Sequence, residues 1–256
     1  MLTQSGAKLA KMDLTVPTDL KPALPTGLAR ETVDTLGQWI VNGRFSPDAV
    51  MPTESQLAAT LGVSRATVRD AVKVLSGKGL VRTARRYGTR VTPVKSWNLL
   101  DGDVIAWHDR DHPRMGRIFA ETTELRTIVE PAAAALAAQR ATDIQRAMIL
   151  GAARALHPEA DDRQTLFAAD CRFHVTILEA TQNQVMRQMR QIILTMLRVS
   201  YEFGVRPENA PVTREGHVVV AEAIVRHDPE AARTAMVEML RRNESIAEGY
   251  WLDLSS

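Results

Sequence analysis

Two histidines and an aspartate are placed where a helical fold could bring them together around a cation. Asp170 and His174 are four residues apart, so on a helix they share one face. That face also carries four apolar side chains, Phe167, Cys171, Ile177 and Leu178. His217 likewise begins an apolar stripe. Because a buried carboxylate with two imidazoles is costly unless it is paired or metal-bound, the three residues predict a divalent-metal site suited to Zn, Mn or Ni.

Simpler explanations exist for the same residues. Asp170 and His174 could form an ordinary hydrogen bond, and His217 could be a core histidine satisfied by the protein. The other histidines lie beside prolines or in acidic loops and receive no role: His108, His112, His157 and His227. A metal-dependent enzyme in which the three residues activate water is disfavoured, because no separate general base or nucleophile accompanies them. We therefore expect no enzymatic activity.

A second pattern is basic and lies near the amino terminus. Three basic residues recur every four positions in one predicted helix, Arg65, Arg69 and Lys73. The other side of this helix is apolar, and Thr67 lies near its start. Arginine can bind guanine with two hydrogen bonds, whereas lysines and hydroxyls mainly contact phosphate. For an isolated helix, a solvated charged face would be the alternative explanation.

The elements around this helix favour DNA recognition. The predicted order is three helices, over about 28–40, 54–61 and 64–76, followed by two short strands, over 80–83 and 89–92. Thr53 and Gln56 form a capping-box pattern at the start of the second helix, and Gly62 ends it. Between the strands, the segment from Arg85 to Arg90 supplies a second basic element around Gly88. The sequence therefore predicts a winged helix-turn-helix.

The remainder of the chain is patterned as helices without a convincing strand, which predicts an all-α helical bundle. We expect a mainly α protein with a flexible leader over 1–26 and a DNA-binding domain over 27–95. A linker over 96–112 and an effector-binding and dimerisation domain over 113–250 follow.

Composition is consistent with this division. The chain has 256 residues and a net charge of +2, yet residues 1–95 contain 14 Lys and Arg against 7 Asp and Glu. Such asymmetry indicates that the first part approaches a polyanion. The longest apolar run is far shorter than a membrane span, and no secretory signal is evident at the start. A single cysteine, Cys171, favours a reducing, cytoplasmic location.

From about Gly27 to Thr92 the chain resembles the GntR family of bacterial regulators. The matching stretches include Met51-Pro52-Thr53-Glu54, Leu61-Gly62-Val63-Ser64-Arg65, Thr67-Val68-Arg69-Asp70-Ala71 and Gly88-Thr89-Arg90-Val91. This resemblance implies a homodimer that binds double-stranded operator DNA. It also implies DNA contacts at five positions, Ser64, Arg65, Thr67, Arg69 and Gly88. Ser55 stands where some relatives carry a DNA-contacting arginine, so the operator sequence does not follow from the resemblance.

From about Trp97 to Ala247 the chain resembles the FCD effector domain of the FadR-type branch, through Glu124-Leu125-Arg126, Glu130-Pro131, Phe173-His174 and Asp228-Pro229-Glu230-Ala231. In many such domains an aspartate and three histidines hold a metal. The positions of Asp170, His174 and His217 match three of these ligands, and Met239 falls at the fourth. The resemblance therefore implies a three-ligand metal site with a position open to water or effector.

The resemblance extends to galactonate-responsive regulators, and it directs Arg126 toward the effector pocket, where its guanidinium could clamp a carboxylate. A salt bridge with Glu130 is the alternative role for Arg126. Thr213 lies one turn before His217 and is a candidate hydroxyl partner for a sugar acid, and three further residues could line the same cavity, Tyr201, Phe203 and Asn243.

We expect a repressor released from DNA when a small carboxylate, such as a sugar acid, binds the helical domain. A regulator in which the metal itself is the signal is the alternative, and a metal-dependent enzyme is the least favoured hypothesis.

Overall fold

The structure is a computed structural model that describes residues 14–20, 27–84, 86–156, 162–204 and 214–253. The chain divides into two compact units, and each has its own hydrophobic core. The first unit contains the described residues from Gly27 to His112, and the second combines Leu14–Leu20 with the described residues from Pro113 onward. Across these ranges, no helix has the length and apolar character needed to cross a membrane.

The first unit has the predicted winged helix-turn-helix. It consists of α1 (Leu28–Val41), α2 (Glu54–Leu61), α3 (Arg65–Gly77), β1 (Val81–Ala84) and β2 (Gly88–Val91). The two strands pair antiparallel, with Val81 opposite Val91 and Ala84 opposite Gly88. The predicted capping box at the start of α2 is confirmed, since Thr53 Oγ1 accepts from the Gln56 amide while Gln56 Oε1 accepts from the Thr53 amide.

The core of this unit lies between the helices and the base of the wing. It includes apolar residues from every element, among them Leu36, Ile40, Leu57, Val68, Leu75, Leu80, Val81 and Val91. These residues recur on the inward face of each helix, which leaves the opposite face of α3 exposed.

Residues 96–112, expected to be a linker, are packed into the first unit instead. They contain a short helix, α4 (Gly102–Ala106), and both Trp97 and Trp107 are buried in the core of the unit. The indole of Trp107 donates to Asp34 Oδ1 at 2.8 Å. It lies so close to α1 that a Cβ at Gly37 would be 2.4 Å from its ring. Two tryptophans bury too much apolar surface to remain in a solvated connection.

The second unit is the predicted all-helical domain within its described residues. Its helices are α5 (Arg114–Arg140), α6 (Asp143–Arg154), α7 (Arg163–Ala180), α8 (Gln184–Gln188), α9 (Arg190–Val199), α10 (Arg214–Val225) and α11 (Pro229–Asp253). A π-helical turn (Ser200–Gly204) continues α9. The longest helices, α5 and α11, pack along each other, and α7 and α10 complete the core around them.

Part of the expected flexible leader also packs. Leu14 and Leu20 are buried in the core of the helical unit. The Leu14 amide donates to Glu202 Oε1, and Gln164 both donates to the carbonyl and accepts from the amide of Thr15. The apolar side chains and the paired backbone explain why the segment is ordered. The rest of the expected leader, residues 1–13 and 21–26, lies outside the described residues.

The position of Gly37 predicts a measurable effect on stability. Glycine to alanine inside a helix normally stabilises, but Gly37→Ala would force its methyl into the Trp107 ring. We expect Gly37→Ala to lower the free energy of unfolding of the first unit by about 1–3 kcal/mol, a typical cost of overpacking. Gly77→Ala in α3 is the matched control, because a Cβ there has no neighbour within 4 Å. Urea unfolding followed by tryptophan fluorescence measures both, and equal stability of the two variants would contradict the packing of Trp107 on α1.

Candidate functional site

The start of α3 presents the residues expected to contact DNA. Ser64 caps the helix: its hydroxyl accepts from the Thr67 amide at 3.1 Å and lies 2.8 Å from the Thr67 hydroxyl. This capping fixes both hydroxyls at the amino-terminal end of the helix. Arg65 follows immediately and is exposed. The amino-terminal end of α3 therefore carries two hydroxyls and a guanidinium, at the end that meets base edges in known recognition helices.

Arg69 lies one turn later on the same exposed face. Its Nη2 is 2.9 Å from Glu54 Oε2, and its Nε also donates to that carboxylate. This contact is the main reason that the pKa of Glu54 is below its ordinary value. Lys73 is also exposed and forms an ion pair with Asp70 at 2.9 Å. The basic face is therefore solvent-accessible, and α2 holds one of its arginines in place.

The wing carries the remaining candidate, Gly88. Its φ of 73° is a left-handed conformation that favours glycine, and its neighbour Arg86 has the same φ. Tyr87, at the tip, is 70% exposed. Arg85 lies outside the described residues. The turn thus projects a basic and an aromatic side chain away from the core.

The second unit brings Asp170, His174 and His217 together. Nε2 of His217 lies 2.7 Å from Asp170 Oδ1, and Nε2 of His174 lies 3.4 Å from the same oxygen. All three side chains are buried, and one potential ligand atom from each lies within 4.8 Å of the others. α7 supplies two of these residues and α10 supplies the third, as the apolar stripes predict.

Two further charged residues, Glu130 and Arg126 on α5, extend the cluster. Glu130 Oε2 lies 2.8 Å from Nδ1 of His174, and Glu130 Oε1 accepts from Nε of Arg126 at 2.6 Å. Nη1 of Arg126 donates to Ser200 Oγ at 2.8 Å. The result is a buried chain of alternating charge that runs Arg126–Glu130–His174–Asp170 and ends at His217. We call these five residues the buried polar cluster.

The alternation shifts the pKa values inside this cluster. Burial alone would lower the pKa of His174, but the Glu130 and Asp170 carboxylates outweigh it and raise the pKa to about 9. Burial would raise the pKa of Glu130, yet Arg126 and His174 lower it to about 2. The pKa of Asp170 is likewise held well below its usual range against burial, mainly by His174. At neutral pH the proton on His174 and the Arg126 guanidinium therefore balance the Glu130 and Asp170 carboxylates.

The donor set fits a divalent cation. Metal-bound histidines commonly donate a hydrogen bond from the N–H of their second ring nitrogen to a carboxylate. Glu130 occupies that position beside Nδ1 of His174. This leaves Nε2 of both histidines and the Asp170 carboxylate as ligands. Met239, at the expected fourth position, is partly buried on α11 and offers only a thioether. Burial raises the pKa of the adjacent Cys171 thiol, which keeps it protonated and unsuited to coordination.

The contacts of Arg126 are compatible with both of its expected roles, the salt bridge with Glu130 and the binding of a carboxylate. Arg126 forms the salt bridge with Glu130, and its described contacts use three of the five guanidinium N–H groups. Two of its donors therefore have no partner in the described part of the chain and can reach an anion. Thr213 and the side chain of Phe203 lie outside the described residues. Tyr201 is buried beside Ser200, and Asn243 is half-buried on α11.

From the sequence, Glu130 is predicted only as a salt-bridge partner of Arg126. Its contact with His174 and the contact of Ser200 with Arg126 are not predicted. The four-residue spacing of Glu130 and Arg126 on one helix face was the available signal for Glu130. For Ser200 there was none, because its contact with Arg126 joins residues 74 positions apart.

Comparison with known families agrees with the two units. Residues 28–91 match the family of bacterial regulatory proteins called the gntR family, and residues 121–242 match the FCD domain. A solved structure of Lar, which controls the expression of the Listeria monocytogenes agr system, aligns with 89% of this chain and 99% of its own. The alignment has a TM-score of 0.63 at 19% identity, which supports the fold.

Two similar relatives come from Escherichia coli K12. The galactonate operon transcriptional repressor is 33% identical over 213 residues, which cover 81% of this chain and 91% of the repressor. The HTH-type transcriptional regulator YieP, itself uncharacterized, is 29% identical and aligns over 86% of this chain and 95% of its own. The transcriptional repressor NanR of Salmonella newport is 28% identical over 84% of each chain. This chain therefore belongs to the gntR family of bacterial regulatory proteins, with an FCD domain after its DNA-binding domain, and it regulates transcription rather than catalysing a reaction.

Proposed function

We propose that this protein is a cytoplasmic homodimeric repressor that leaves its operator when a small carboxylate, such as a sugar acid, binds the helical unit. The observation that carries the proposal is the buried polar cluster. In it, Glu130 connects Arg126, which has two N–H groups without a described partner, to His174 of the candidate cation site. A separate unit with an exposed basic recognition helix supplies the output.

The DNA contacts come from α3 and the wing. Arg65 and Arg69 are suited to base edges in the major groove, whereas Ser64 and Thr67 are suited to phosphates at the helix start. Gly88 adopts the left-handed conformation of the wing turn, which would let the basic residues of the turn approach the DNA backbone. A homodimer would place two such heads on a near-palindromic operator, since the symmetry of the DNA mirrors that of the protein.

The effector site combines a cation with Arg126. Asp170, His174 and His217 would hold Zn, Mn or Ni, and the metal when bound would supply a Lewis acid that attracts an effector carboxylate. Arg126 would orient the same carboxylate through its unused donors, while Glu130 fixes the guanidinium and the His174 ring at once. The name of the galactonate operon repressor makes galactonate the natural first compound to test.

An effector can drive release only if it binds one arrangement of the protein better than the other. Ser200, on the π-helical turn, is bonded to Arg126, so movement of the guanidinium toward a ligand would reach α9 directly. If the metal itself were the signal, metal alone would release the operator. Operator release by metal without a carboxylate would favour that alternative.

The first prediction from the proposed function concerns the recognition helix. Arg65→Ala and Arg69→Ala should each weaken specific operator binding by about 1–3 kcal/mol, because each removes a contact to a base edge or phosphate. Arg117→Ala, which changes an equally exposed arginine on α5, should have no effect. The operator is obtained by selecting random duplex DNA with the wild-type protein, and affinities are measured by fluorescence anisotropy.

Light scattering of the same complexes should show two chains on each selected duplex. Wild-type affinity in both arginine variants would refute the assignment of α3, and a single bound chain would refute the homodimer.

The second prediction concerns the metal. His174→Ala should abolish binding of one divalent ion per chain, because it removes a ligand between two fixed carboxylates. His227→Asn is the matched control: His227 is exposed at a φ of 58°, a conformation that asparagine tolerates. Protonation competes with the metal at His174, so affinity should rise as the pH is raised toward about 9.

Elemental analysis of gently purified protein measures the metal content. Equal content in wild type and His174→Ala would mean that the three residues form ordinary core hydrogen bonds. The variant should still bind operator, since the DNA-binding unit has its own core.

The third prediction concerns Arg126. Arg126→Ala would keep the metal and lose the effector response, but it also strips Glu130 of a buried partner, so Arg126→Lys is the cleaner variant. Lysine keeps the charge opposite Glu130 but not the planar fork, and we expect at least a tenfold loss of galactonate affinity, about 1.4 kcal/mol, with metal content unchanged. Arg140→Lys, on the same helix, is the control. Titration calorimetry measures affinity, and unaltered binding would leave Arg126 only its salt bridge with Glu130.

A further inference from the structure

Two buried hydroxyl groups in the helical unit lack a hydrogen-bond partner among the described residues. They are Oγ1 of Thr123 and the phenolic oxygen of Tyr201. Both side chains are only 2% exposed. The neighbouring Thr122 provides a direct contrast, because its hydroxyl donates to the Ile118 carbonyl at 2.8 Å in the usual manner of a helical threonine.

Such groups are uncommon because they are costly. A buried hydroxyl that has lost its water without gaining a partner destabilises a protein, because nothing offsets its desolvation. More than nine in ten buried polar groups in native proteins are therefore satisfied by protein, ordered water or a ligand. Two unsatisfied hydroxyls in one unit point to a polar molecule that completes them.

Both hydroxyls belong to residues beside Arg126. Thr123 precedes Arg126 by one turn on the same face of α5. Tyr201 follows Ser200, whose hydroxyl accepts from Arg126, and its ring packs edge-on against Phe167 at 5.2 Å between centroids. Burial raises the pKa of Tyr201, and the charges of Asp170 and Arg126 also act on it. The phenol thus lies within electrostatic reach of both proposed anchors of the effector.

The backbone at Tyr201 is also unusual. The π-helical turn (Ser200–Gly204) replaces the regular continuation of α9, and such turns are frequent at functional sites. The turn places Ser200, Tyr201 and Glu202 in the interior together. Ser200 and Glu202 have protein partners in Arg126 and the Leu14 amide, whereas the phenol of Tyr201 has none among the residues that the structure describes.

We infer that Thr123 and Tyr201 determine effector specificity by hydrogen bonding to hydroxyl groups on the carbon chain behind the carboxylate. The effector class is then the polyhydroxylated carboxylates, such as aldonates. A hydroxyl both donates and accepts, so a ligand hydroxyl can satisfy either residue. An unsubstituted fatty acid would leave both unpaired, and sites built for a ligand hydroxyl discriminate strongly against analogues that lack it.

This inference rests on the proposed function, in which Arg126 and the cation site hold the carboxylate. Its test uses metal-loaded full-length protein and matched six-carbon carboxylates. Galactonate and gluconate carry hydroxyls, and hexanoate carries none. The variants are Thr123→Val and Tyr201→Phe, each of which deletes one hydroxyl with little change of shape. Thr122→Val is the matched control, since its hydroxyl already has a partner in the helix.

We expect wild type to bind at least one aldonate more tightly than hexanoate. Thr123→Val and Tyr201→Phe should each lose about 2- to 10-fold in aldonate affinity, as the loss of one hydrogen bond predicts, with hexanoate affinity unchanged. Thr122→Val should bind every compound as wild type does. Without ligand, Thr123→Val should unfold at the same or a higher temperature than wild type, because it removes an unsatisfied group, whereas Thr122→Val should unfold at a lower one.

The outcomes separate the two proposals. Aldonate affinities that are equal in wild type, Thr123→Val and Tyr201→Phe would overturn the specificity contacts alone and assign the hydroxyls to buried water. Tighter binding of hexanoate than of both aldonates by wild type would also overturn them alone. If wild type binds none of the three carboxylates, the proposed carboxylate effector is refuted, and this inference falls with it.

Discussion

The contact between Glu130 and His174 is the interaction on which the helical unit depends. It joins α5 to α7 at 2.8 Å with both partners buried, and each partner touches a second charge, Arg126 on one side and Asp170 on the other. Removal of one member would leave an uncompensated charge in the core, which typically costs 3–5 kcal/mol. The packing of α5, α7, α10 and the π-helical turn must therefore keep every member of the buried polar cluster paired at the same time, and no two of these elements can be repacked independently of the others.

This constraint explains why an arginine and a cation site lie so close together. Two like charges near one another in a low-dielectric interior repel strongly unless carboxylates separate them. Glu130 lies between Arg126 and His174, and Asp170 lies between the two histidines. The carboxylates let a positive site and a guanidinium coexist, and an anion that bridges them would be attracted by both.

Features that depend on interactions between residues close in sequence could be predicted, and features that depend on distant residues could not. The start and the end of α2 were predictable because caps and glycines act over a few residues, as Thr53, Gln56 and Gly62 illustrate. The packing of Trp107 on α1 was not, because it depends on the missing side chain at Gly37, 70 positions away, which no local pattern relates to a tryptophan in an expected linker. Leu14 and Leu20 escaped prediction for the same reason, since a short apolar segment acquires a fixed position only from the surface that receives it.

The candidate site divides in the same way. Asp170, His174 and His217 lie on apolar helix faces, so their convergence could be predicted from periodicity. The contact of Glu130 with His174 could not, because the four-residue spacing to Arg126 already gave Glu130 a sufficient partner. The unsatisfied hydroxyls of Thr123 and Tyr201 were invisible as well: no sequence pattern separates Thr123 from Thr122, although only one of them forms the helical back-bond.

The balance of charge in the cluster also bears on how a metal would be used. The raised pKa of His174 means that its proton, together with the Arg126 guanidinium, balances the two carboxylates when no cation is bound. A structural zinc site behaves differently, because its ligands have no stable arrangement without the ion. Here a divalent cation would replace a single positive charge with two, while Glu130 keeps the imidazole in place through Nδ1. The added positive charge would strengthen attraction for an anion beside Arg126 without rebuilding the core, which is the property required of a cation that serves ligand binding rather than the fold.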